Sequence, residues 1–313
     1  MLTVLLATRN RVRVLRDVLE AYCRLESPIG GWKLVVVDNG SKDGTAEVIA
    51  SYRDRLPIHS VAEPRLGKNA ALNTGLGLVE GDLVVFTDDD AFPCPDWLHR
   101  IRETADNHLE YSIFGGAILP RWEIPPPDWI KWVHLAPVFA LTDPARADGP
   151  IGPYDLYGPN MAVRANVFEQ GIRFDPSIGP CGADYPMGSE TEMLLRLARY
   201  GHRAWYVAGA VVEHFIRKEQ LERRWVLRRA FRHGRGYYRL FISDRYPRRK
   251  LWMGIPRYLF RDIPKYAVLA IASYLCFKQE SHFRAHYSFN LLRGQAKEAY
   301  RIARLQSAQD RGP

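Results

Sequence analysis

The first ninety residues alternate short apolar runs with segments of helical periodicity. The apolar runs lie at residues 3–8, 33–38, 57–63 and 82–90, and the helical segments lie at residues 11–25, 45–52 and 67–79. Short apolar runs predict buried strands, and apolar residues at steps of three and four predict helices. Strands that alternate with helices favour right-handed crossovers and parallel pairing. The pattern therefore predicts an α/β fold with a central, mainly parallel sheet flanked by helices.

The hydrophobic pattern becomes irregular in the middle of the chain and then regular again. Residues 120–154 are dense in Pro and Trp, which predicts a long irregular excursion of the kind that is uncommon without a function. Further elements are expected at residues 157–168 (a strand, then a helix), 189–201 (an amphipathic helix) and 203–214 (a strand). Residues 1–215 are therefore expected to form one α/β domain that includes this excursion.

The C-terminal part is expected to be a basic helical region of residues 216–313. Its 23 Lys and Arg residues against 7 Asp and Glu residues give residues 215–313 a net charge of +16, whereas the whole chain carries +9. Residues 1–214 are accordingly acidic, at −7. Helical patterning begins at residue 218, with breaks expected near Pro247, Pro256 and Pro264. A cationic surface attracts the phosphates of lipids.

One face of this region suggests contact with a membrane. Arg228, Arg232, Arg235 and Arg239 recur at helical spacing and would share a face. The aromatic residues beside them are Trp225, Phe231, Tyr237, Tyr238 and Phe241. The apolar run at residues 266–277 is too short to span a bilayer. These features predict an anionic membrane surface as a partner, with a solvated helical face as the alternative. Nucleic acid is not expected, because no nucleic-acid-binding motif is present.

The cysteines and the N-terminal segment bear on location. Cys23, Cys94, Cys181 and Cys276 are scattered, without a CxxC pair or the spacing of a zinc site. Residues 2–7 run straight into a charged segment, which is not the pattern of a signal peptide. We therefore expect a cytoplasmic protein, bound peripherally at the inner face of the cytoplasmic membrane.

Polar side chains follow the predicted strands at their carboxyl ends, where open parallel sheets bind ligands. They are Thr8, Arg9, Asn10 and Arg11 after the first strand, Asp38, Asn39 and Ser41 after the second, and Asp88, Asp89 and Asp90 after the fourth. Three adjacent carboxylates repel one another unless a cation neutralises them. A divalent metal (Mn²⁺ or Mg²⁺) that bridges a diphosphate fits this need. An acidic turn in which Asp90 caps a helix is the alternative.

Five charged or ionisable residues each have two interpretations. Asp38 is suited to accept hydrogen bonds from a nucleobase, or it satisfies its own turn. Lys68 is suited to meet a phosphate at a helix start, or it is a solvated surface lysine. Glu190 and Glu192 supply a general base and a positioning group, or they are carboxylates favoured by a helix N-terminus. His214, at a strand end, is a metal ligand or a structural histidine.

Five segments in this order resemble the family 2 glycosyltransferases, which have the GT-A fold. They are VVVDNGSKDGT (residues 35–45), GKNAALNTGL (67–76), VVFTDDDA (84–91), YGPNMAVRANVFEQGIRFDPSIG (157–179) and GSETEMLLRLARYGHRAWYVAGAVVEH (188–214). The resemblance covers about two thirds of the chain, from Thr3 to His214. It implies that residues 1–215 form a GT-A nucleotide-binding domain, with the irregular excursion of residues 120–154 on its acceptor side.

The resemblance also implies roles for individual residues. Asp38 would contact the base, Asp88 the sugar or ribose, Asp90 and His214 the metal, and Glu190 would be the catalytic base. The remaining donor-side residues are Thr8, Arg9, Asn10, Arg11, Asn39, Ser41, Lys68, Asn73 and Asp89, and the acceptor-side residues are Trp122, Asn160 and Glu192. The implied activity is inverting, metal-dependent transfer from a nucleotide-sugar, with UDP favoured. The implied acceptor is a hydroxyl of a glycan or lipid-linked molecule in cell-surface polysaccharide synthesis.

Two departures and two rival functions qualify this interpretation. Ser189 stands where the family usually has the first acid of an acidic pair, which puts the orientation of the acceptor in question. Between Gln220 and the Arg224-Trp225 pair there is one residue more than in the motif of processive synthases, so a non-processive enzyme is expected. A sugar nucleotidyltransferase is a rival, although the expected Gly-rich loop after the first strand is absent. A catalytically silent nucleotide-sugar-binding or membrane-associated module is the other.

Overall fold

The computed structural model describes residues 1–182, 184–246 and 250–309, which form two compact units. The first unit comprises Met1–Glu123, Leu135–Pro176 and Ser189–Ile216. The second unit comprises Ile124–His134, Ser177–Gly188 and the described residues from Arg217 onward.

A nine-stranded sheet lies at the centre of the first unit. Its strands are β1 (Leu2–Thr8), β2 (Trp32–Asp38), β3 (Ile58–Ala62), β4 (Leu83–Asp88), β5 (Ala91–Pro93), β6 (Ile113–Trp122), β7 (Gly149–Ile151), β8 (Met161–Arg164) and β9 (Ala204–Ile216). Their order is β3-β2-β1-β4-β8-β6-β9-β5, and β7 pairs with β9. The longest ladders, β1–β2 and β6–β9, are parallel, whereas β8 runs antiparallel to β4 and β6. The predicted α/β fold class with a central sheet is confirmed.

Helices of the first unit flank this sheet. They are α1 (Val12–Tyr22), α2 (Thr45–Ser51), α3 (Lys68–Leu76), α4 (Trp97–Asn107), α5 (Leu135–Phe139), α6 (Asn166–Glu169) and α7 (Ser189–Arg199). Leu15, Val18, Leu19 and Tyr22 of α1 are buried, as their helical spacing predicts. The core continues between α3, α7 and the sheet, where Phe86 packs edge-on against aromatic neighbours.

Strand β6 was not predicted from the sequence, because its paired glycines weaken the strand pattern. A Cβ atom on Gly116 would lie 2.0 Å from the carbonyl oxygen of Ala210 and 2.5 Å from Nδ2 of Asn160. The register between β6 and β9 shifts at the same place, between Gly116 and Ala117. Glycine is thus required there by the close approach of β9 at a bulge, a recognised use of glycine inside strands.

The second unit is mainly helical. It contains 3₁₀ turns at Asp128–Trp132 and Lys218–Leu221, α8 (Arg223–Tyr237), a π-helical turn at Tyr238–Ile242, a hairpin of β10 (Leu251–Trp252) and β11 (Ile255–Pro256), α9 (Arg257–Leu275) and α10 (Gln279–Gln309). Helices α8 and α10 cross at two glycines. A Cβ on Gly234 would lie 1.9 Å from the carbonyl oxygen of Leu291, and one on Gly294 would lie 2.0 Å from that of Phe231.

Two expectations for this region are corrected. The small β10–β11 hairpin interrupts the predicted run of helices, and α9 continues through Pro264 instead of breaking there. Proline removes one intrahelical hydrogen bond, but Leu259 and Ala270 are buried on either side of it and hold the helix in place. The expected break near Pro256 is confirmed, and the one near Pro247 lies outside the described residues. Among the described residues, no helix combines the length and apolarity needed to cross a membrane.

The predicted arginine face of α8 has the expected spacing but is largely turned inward. Arg235 is 3% exposed, and its Nε donates to Glu298 of α10 at 2.9 Å. Nη2 of Arg239 donates to the same carboxylate at 2.7 Å, and Arg232 lies over the ring of Tyr185. These three arginines are therefore engaged within the second unit and do not form the solvent-facing surface that their spacing suggests.

Candidate active site

Three neighbouring strands end at the same edge of the sheet of the first unit. In the parallel β1–β2 ladder Thr8 lies opposite Asp38, and in the parallel β1–β4 ladder Ala7 lies opposite Asp88. Parallel strands present their carboxyl ends at one edge, which is where such sheets bind ligands. The structure thus brings together the side chains that follow strands one, two and four in the sequence.

The acidic triplet after β4 is held by neighbouring groups. Asp89 accepts a hydrogen bond from the Thr8 hydroxyl at 2.7 Å, and an oxygen of Asp90 lies 3.4 Å from Nη1 of Arg11. Burial raises the pKa of Asp89, and the charge of Asp90 adds to the rise. For Asp90 burial acts in the same direction, but its pKa is lowered on balance by His214 and Arg11. Asp90 therefore holds a negative charge more readily than Asp89 does.

His214 reaches this cluster from the distant strand β9. Pairing of β5 with β9 sets Ala91 opposite His214, and the N–H of Phe215 donates to the carbonyl oxygen of Asp90 at 2.8 Å. Nδ1 of His214 lies 2.7 Å from the carbonyl oxygen of Phe139, to which it donates. Nε2 lies 3.5 Å from Asp90. Burial acts to lower the pKa of His214, but the Asp90 carboxylate outweighs it and raises that pKa.

The Asp90–His214 pair fits a divalent ion that is shared with a ligand. The pair offers an oxygen and a ring nitrogen, and the backbone carbonyl fixes the histidine ring, as is usual for metal-bound histidines. Among the described residues, no group of three or more His, Cys, Asp or Glu side chains is arranged to hold a metal by itself. Mg²⁺ is commonly held by one or two protein ligands together with substrate phosphates and water. The donor set suits that mode of binding.

Lys68, the first residue of α3, connects the acidic strand end with α7. Its Nζ lies 2.6 Å from Asp88 and 2.8 Å from Glu190, and the side chain is 19% exposed. Burial acts to lower the pKa of Lys68, but the two carboxylates outweigh it and raise that pKa. The lysine is therefore charged, and it places the predicted base Glu190 beside the predicted donor site.

The start of α7 is fixed by neighbouring residues, two of which, Asn69 and Gly158, were not singled out from the sequence. Ser189 donates from its hydroxyl to the side-chain oxygen of Asn69, whose Nδ2 in turn donates to the carbonyl of Asp175 at 2.7 Å. A Cβ on Gly158 would lie 2.4 Å from Oε1 of Glu190. Ser189 thus anchors α7 where the family usually has an acid. The one sequence signal for the role of Asn69 is that it lies next to Lys68.

Asn39 and Asn73 lie near the site, but their amides bind loop backbone. Asn39 donates to the carbonyls of Glu63 and Arg65 and accepts from the N–H of Gly67, at 2.7–2.9 Å. Asn73 exchanges two hydrogen bonds with the backbone of Phe174. Both amides therefore help to fix the segments before and after α3.

The remaining polar residues after β1 and β2 bind one another's loops. Ser41 accepts from the N–H of Asn10, and its own N–H donates to Asp38 at 2.9 Å. Asn10 accepts from the N–H of Lys42 at 2.8 Å. The Asp38 carboxylate thus does satisfy its own turn, through one oxygen.

Four predicted residues are not drawn into the cluster. Asn160 is buried, donating to the carbonyls of Ala117 and Ala210 and accepting from the Trp97 indole. Glu192 pairs with Arg196 one turn further along α7, and Arg9 is exposed. Trp122, at the end of β6, packs edge-on against Phe139 with the ring centroids 5.9 Å apart.

Comparison with known proteins identifies the family. The sequence profile described as "Glycosyl transferase family 2" matches residues 3–170, more than half of the chain. The chain belongs to glycosyltransferase family 2. It is accordingly a glycosyltransferase with the GT-A fold, as the order of its motifs predicts, and the rival functions are set aside. The match ends before α7, so Glu190 and His214 lie beyond the segment that the profile covers.

Two family 2 relatives span most of the chain. A glucosyl-dolichyl phosphate glucuronosyltransferase of Haloferax volcanii is 24% identical over 218 residues, which are 69% of this chain and 68% of the relative. The succinoglycan biosynthesis protein ExoM of Rhizobium meliloti is 25% identical over 229 residues, 70% of this chain and 68% of the relative. This chain is thus similar in sequence to a glucuronosyltransferase and to a protein of succinoglycan biosynthesis.

Solved structures share the fold. A mannosyltransferase from Pyrobaculum calidifontis, in complex with GDP-mannose and Mn²⁺, superposes with a TM-score of 0.57 at 21% identity, covering 100% of this chain and 76% of the other. Residues 1–349 of TarS from S. aureus, in complex with UDP-GlcNAc, superpose with a TM-score of 0.55 at 14% identity, covering 99% of this chain and 92% of the other. At these identities the likeness establishes the fold.

Proposed function

We propose that this glycosyltransferase carries out an inverting, metal-dependent transfer from a nucleotide-sugar to an acceptor hydroxyl, with Glu190 as the base. The observation that carries the proposal is the link from Asp88 through Lys68 to Glu190. It joins the strand end that faces the donor to the helix that supplies the base, with 2.6 and 2.8 Å contacts. A base must lie within reach of the proton that it abstracts.

The donor would lie at the sheet edge formed by β1, β2 and β4. The free carboxylate oxygen of Asp38 would accept from the nucleobase, and Asp88 would meet the ribose or sugar. Thr8 and Arg11 hold the acidic triplet that faces the diphosphate. UDP is the favoured nucleotide, although the similar structures include both a UDP-sugar and a GDP-sugar complex.

Asp90 and His214 would hold Mn²⁺ or Mg²⁺ against the diphosphate. A bound ion supplies charge stabilisation to the departing nucleoside diphosphate. The protein's own side chains would carry out the proton transfer. Glu190 takes the proton of the acceptor hydroxyl as that oxygen bonds to the anomeric carbon. The bond from this carbon to the diphosphate oxygen breaks with its electron pair going to the diphosphate, so the configuration inverts.

The acceptor is proposed to be a glycan or a lipid-linked sugar, in cell-surface polysaccharide synthesis. The names of two relatives, a glucosyl-dolichyl phosphate glucuronosyltransferase and a succinoglycan biosynthesis protein, support this class. Trp122 and Glu192 remain acceptor-side candidates, and this assignment rests on the sequence resemblance alone. The cytoplasmic location at the inner membrane face also stays a prediction.

Replacement of Glu190 by Gln tests the proposal. Loss of the proton acceptor should reduce transfer by about 10²–10⁴-fold while nucleotide binding stays within about twofold. Initial rates with UDP-sugars and Mn²⁺, alongside calorimetric binding of UDP, measure the two effects. Glu103→Gln is the matched control, because Glu103 lies on α4 of the same unit, is 54% exposed and pairs with Arg100. Normal turnover in Glu190→Gln would remove Glu190 as the base.

A further inference from the structure

The exposed side of α9 in the second unit is apolar over its C-terminal half. Residues 266–277 contain no charged side chain. Val268, Ile271, Tyr274 and Leu275 are each more than 60% exposed, and Phe277, just after the helix, is 91% exposed. Contiguous exposed apolar surface of this kind marks a site of interaction.

The apolar surface continues along one side of α9 and onto the β10–β11 hairpin. Phe260, Val268, Ile271 and Leu275 recur at helical steps that keep them on one side. The ring of Trp252 lies 4.6 Å from that of Phe260, and Met253 at the hairpin turn is 72% exposed. We call this surface the α9 face; it consists of Trp252, Met253, Phe260, Val268, Ile271, Leu275 and Phe277.

Cationic side chains flank the α9 face. Arg257, Arg261 and Lys265 are exposed and follow one another at steps of four along the first half of α9. The helix contains one acid, Asp262, which pairs with Arg261 at 2.8 Å. A helix with an apolar side flanked by Lys and Arg is typical of segments that lie in the interface of a membrane.

The other side of α9 packs within the second unit. Leu259 and Ala270 are buried, and His282 of α10 bonds to the carbonyl of Ala270 at 2.9 Å. One side of α9 is thus packed against the rest of the second unit, and the opposite side is accessible to a partner. Such a helix can lie along a membrane surface but cannot span it.

We propose that the α9 face inserts into the headgroup layer of an anionic phospholipid bilayer, with Arg257, Arg261 and Lys265 meeting lipid phosphates. The positive charges beside the α9 face favour an anionic bilayer as its partner over a second copy of the chain. Two copies joined through the α9 face would bring like charges together, whereas anionic lipids attract them. The proposal rests on the second unit alone and does not depend on the proposed function.

Co-sedimentation of the full chain with vesicles tests the proposal without donor or acceptor. We expect binding to phosphatidylcholine vesicles that contain about one third phosphatidylglycerol, and weak binding to phosphatidylcholine alone. The double variant Ile271→Glu/Leu275→Glu should lower the partition coefficient at least about tenfold, because it removes two inserted apolar side chains. Each of Arg257→Ser and Lys265→Ser should lower it roughly fivefold.

Matched controls come from the first unit. Ile29 and Leu109 are 80% and 74% exposed, so Ile29→Glu and Leu109→Glu make the same chemical change elsewhere. These variants should bind vesicles as the unchanged protein does. Circular dichroism melts show whether each variant is folded, which is expected because the substituted side chains are exposed.

A depth measurement adds a second readout. Lipids brominated near the headgroup should quench tryptophan emission in the unchanged protein, and Trp252→Phe should lose most of that quenching. Three outcomes would overturn the proposal: equal binding by the Ile271→Glu/Leu275→Glu variant, binding that is indifferent to anionic lipid, or a dimer that this variant dissociates in light scattering.

Discussion

Lys68 is the residue on which the proposed site depends most directly. Its ammonium lies between Asp88 of β4 and Glu190 of α7, and both contacts are short enough to be charge-assisted hydrogen bonds. Without that cation, the two carboxylates would lose the ammonium group that they share. The same charge would also offset the phosphates of a bound donor.

Replacement of Lys68 by Met should therefore reduce kcat/KM for the donor by about 100-fold, the size of effect seen when a charge-stabilising donor is lost from an active site. KM for the nucleotide-sugar should rise, since ground-state contacts to phosphate are lost as well. Steady-state kinetics with a varied donor concentration measure both. Lys68→Arg keeps the charge and should recover part of the activity; a Met variant as active as the Arg variant would show that the charge is dispensable.

Asp90 and His214 give the metal hypothesis a test that does not require turnover. In thermal-shift assays, UDP with Mn²⁺ should raise Tm more than UDP alone, because a ligand that binds only the folded state stabilises it by mass action. The Asp90→Asn variant should lose the Mn²⁺-dependent part of the shift. Asp96→Asn, which changes an exposed carboxylate paired with Arg100, should keep it. A full Mn²⁺ response in Asp90→Asn speaks against this residue as a ligand.

At the scale of elements, the segment between β3 and α3 is tied down by Glu63. Its carboxylate accepts from the guanidinium and the N–H of Arg65 and from the hydroxyl of Thr74, and these bonds lower its pKa from 4.5 to about 2. The segment leads directly into Lys68, so its order affects the site.

The low pKa of Glu63 predicts how stability changes with pH. A carboxyl whose pKa is lower in the folded state contributes stability above about pH 4.5, and that contribution is lost as pH falls towards 2. Glu63→Gln should therefore lower Tm at pH 7 by roughly 2–4 °C. The gap between the variant and the unchanged protein should shrink between pH 4.5 and pH 2. A gap that stays constant over this range would mean that the charge of Glu63 plays no part.

The sequence predicted the elements whose patterns are local. Apolar runs indicated β1, β2 and β4, and the polar residues after them do meet at one edge. Strand β6 and helix α4 were missed. Gly116 of β6 is explained by the approach of β9, about ninety residues further on, and Gly115 by the side chain of Leu156. The Lys68–Glu190 contact joins residues 122 positions apart, so no spacing rule could have shown it.

At the scale of the whole molecule, buried charge organises the second unit. Glu298 is fully buried and pairs with Arg235 of α8 and with Arg239 of the π-helical turn that follows α8. Helical spacing correctly placed these arginines on one side of this helical segment. It could not show that α10 covers that side, because the covering acid lies some sixty residues away in the sequence.

Removing the charge of Glu298 should destabilise this unit strongly. Glu298→Gln removes the buried carboxylate that Arg235 and Arg239 share and leaves Arg235 with Asp184 alone among the described acids; breaking a buried pair typically costs about 3–5 kcal/mol. Urea denaturation followed by circular dichroism should show an earlier transition. Glu280→Gln, on the exposed start of α10 where Glu280 pairs with Arg284, should change stability by less than about 1 kcal/mol. Similar midpoints for the two variants would contradict a dominant role for the buried pair.

The position of His214 on β9 has a consequence for how the protein is made. The ribosome releases the three aspartates more than a hundred residues before the histidine that pairs with Asp90, and Glu190 also emerges late. During that interval the nascent chain carries an incomplete set of partners around clustered negative charge. Competence to hold a donor should therefore arise in one late step of synthesis, when β9 joins the sheet, and a chain stopped at residue 170 should never acquire it.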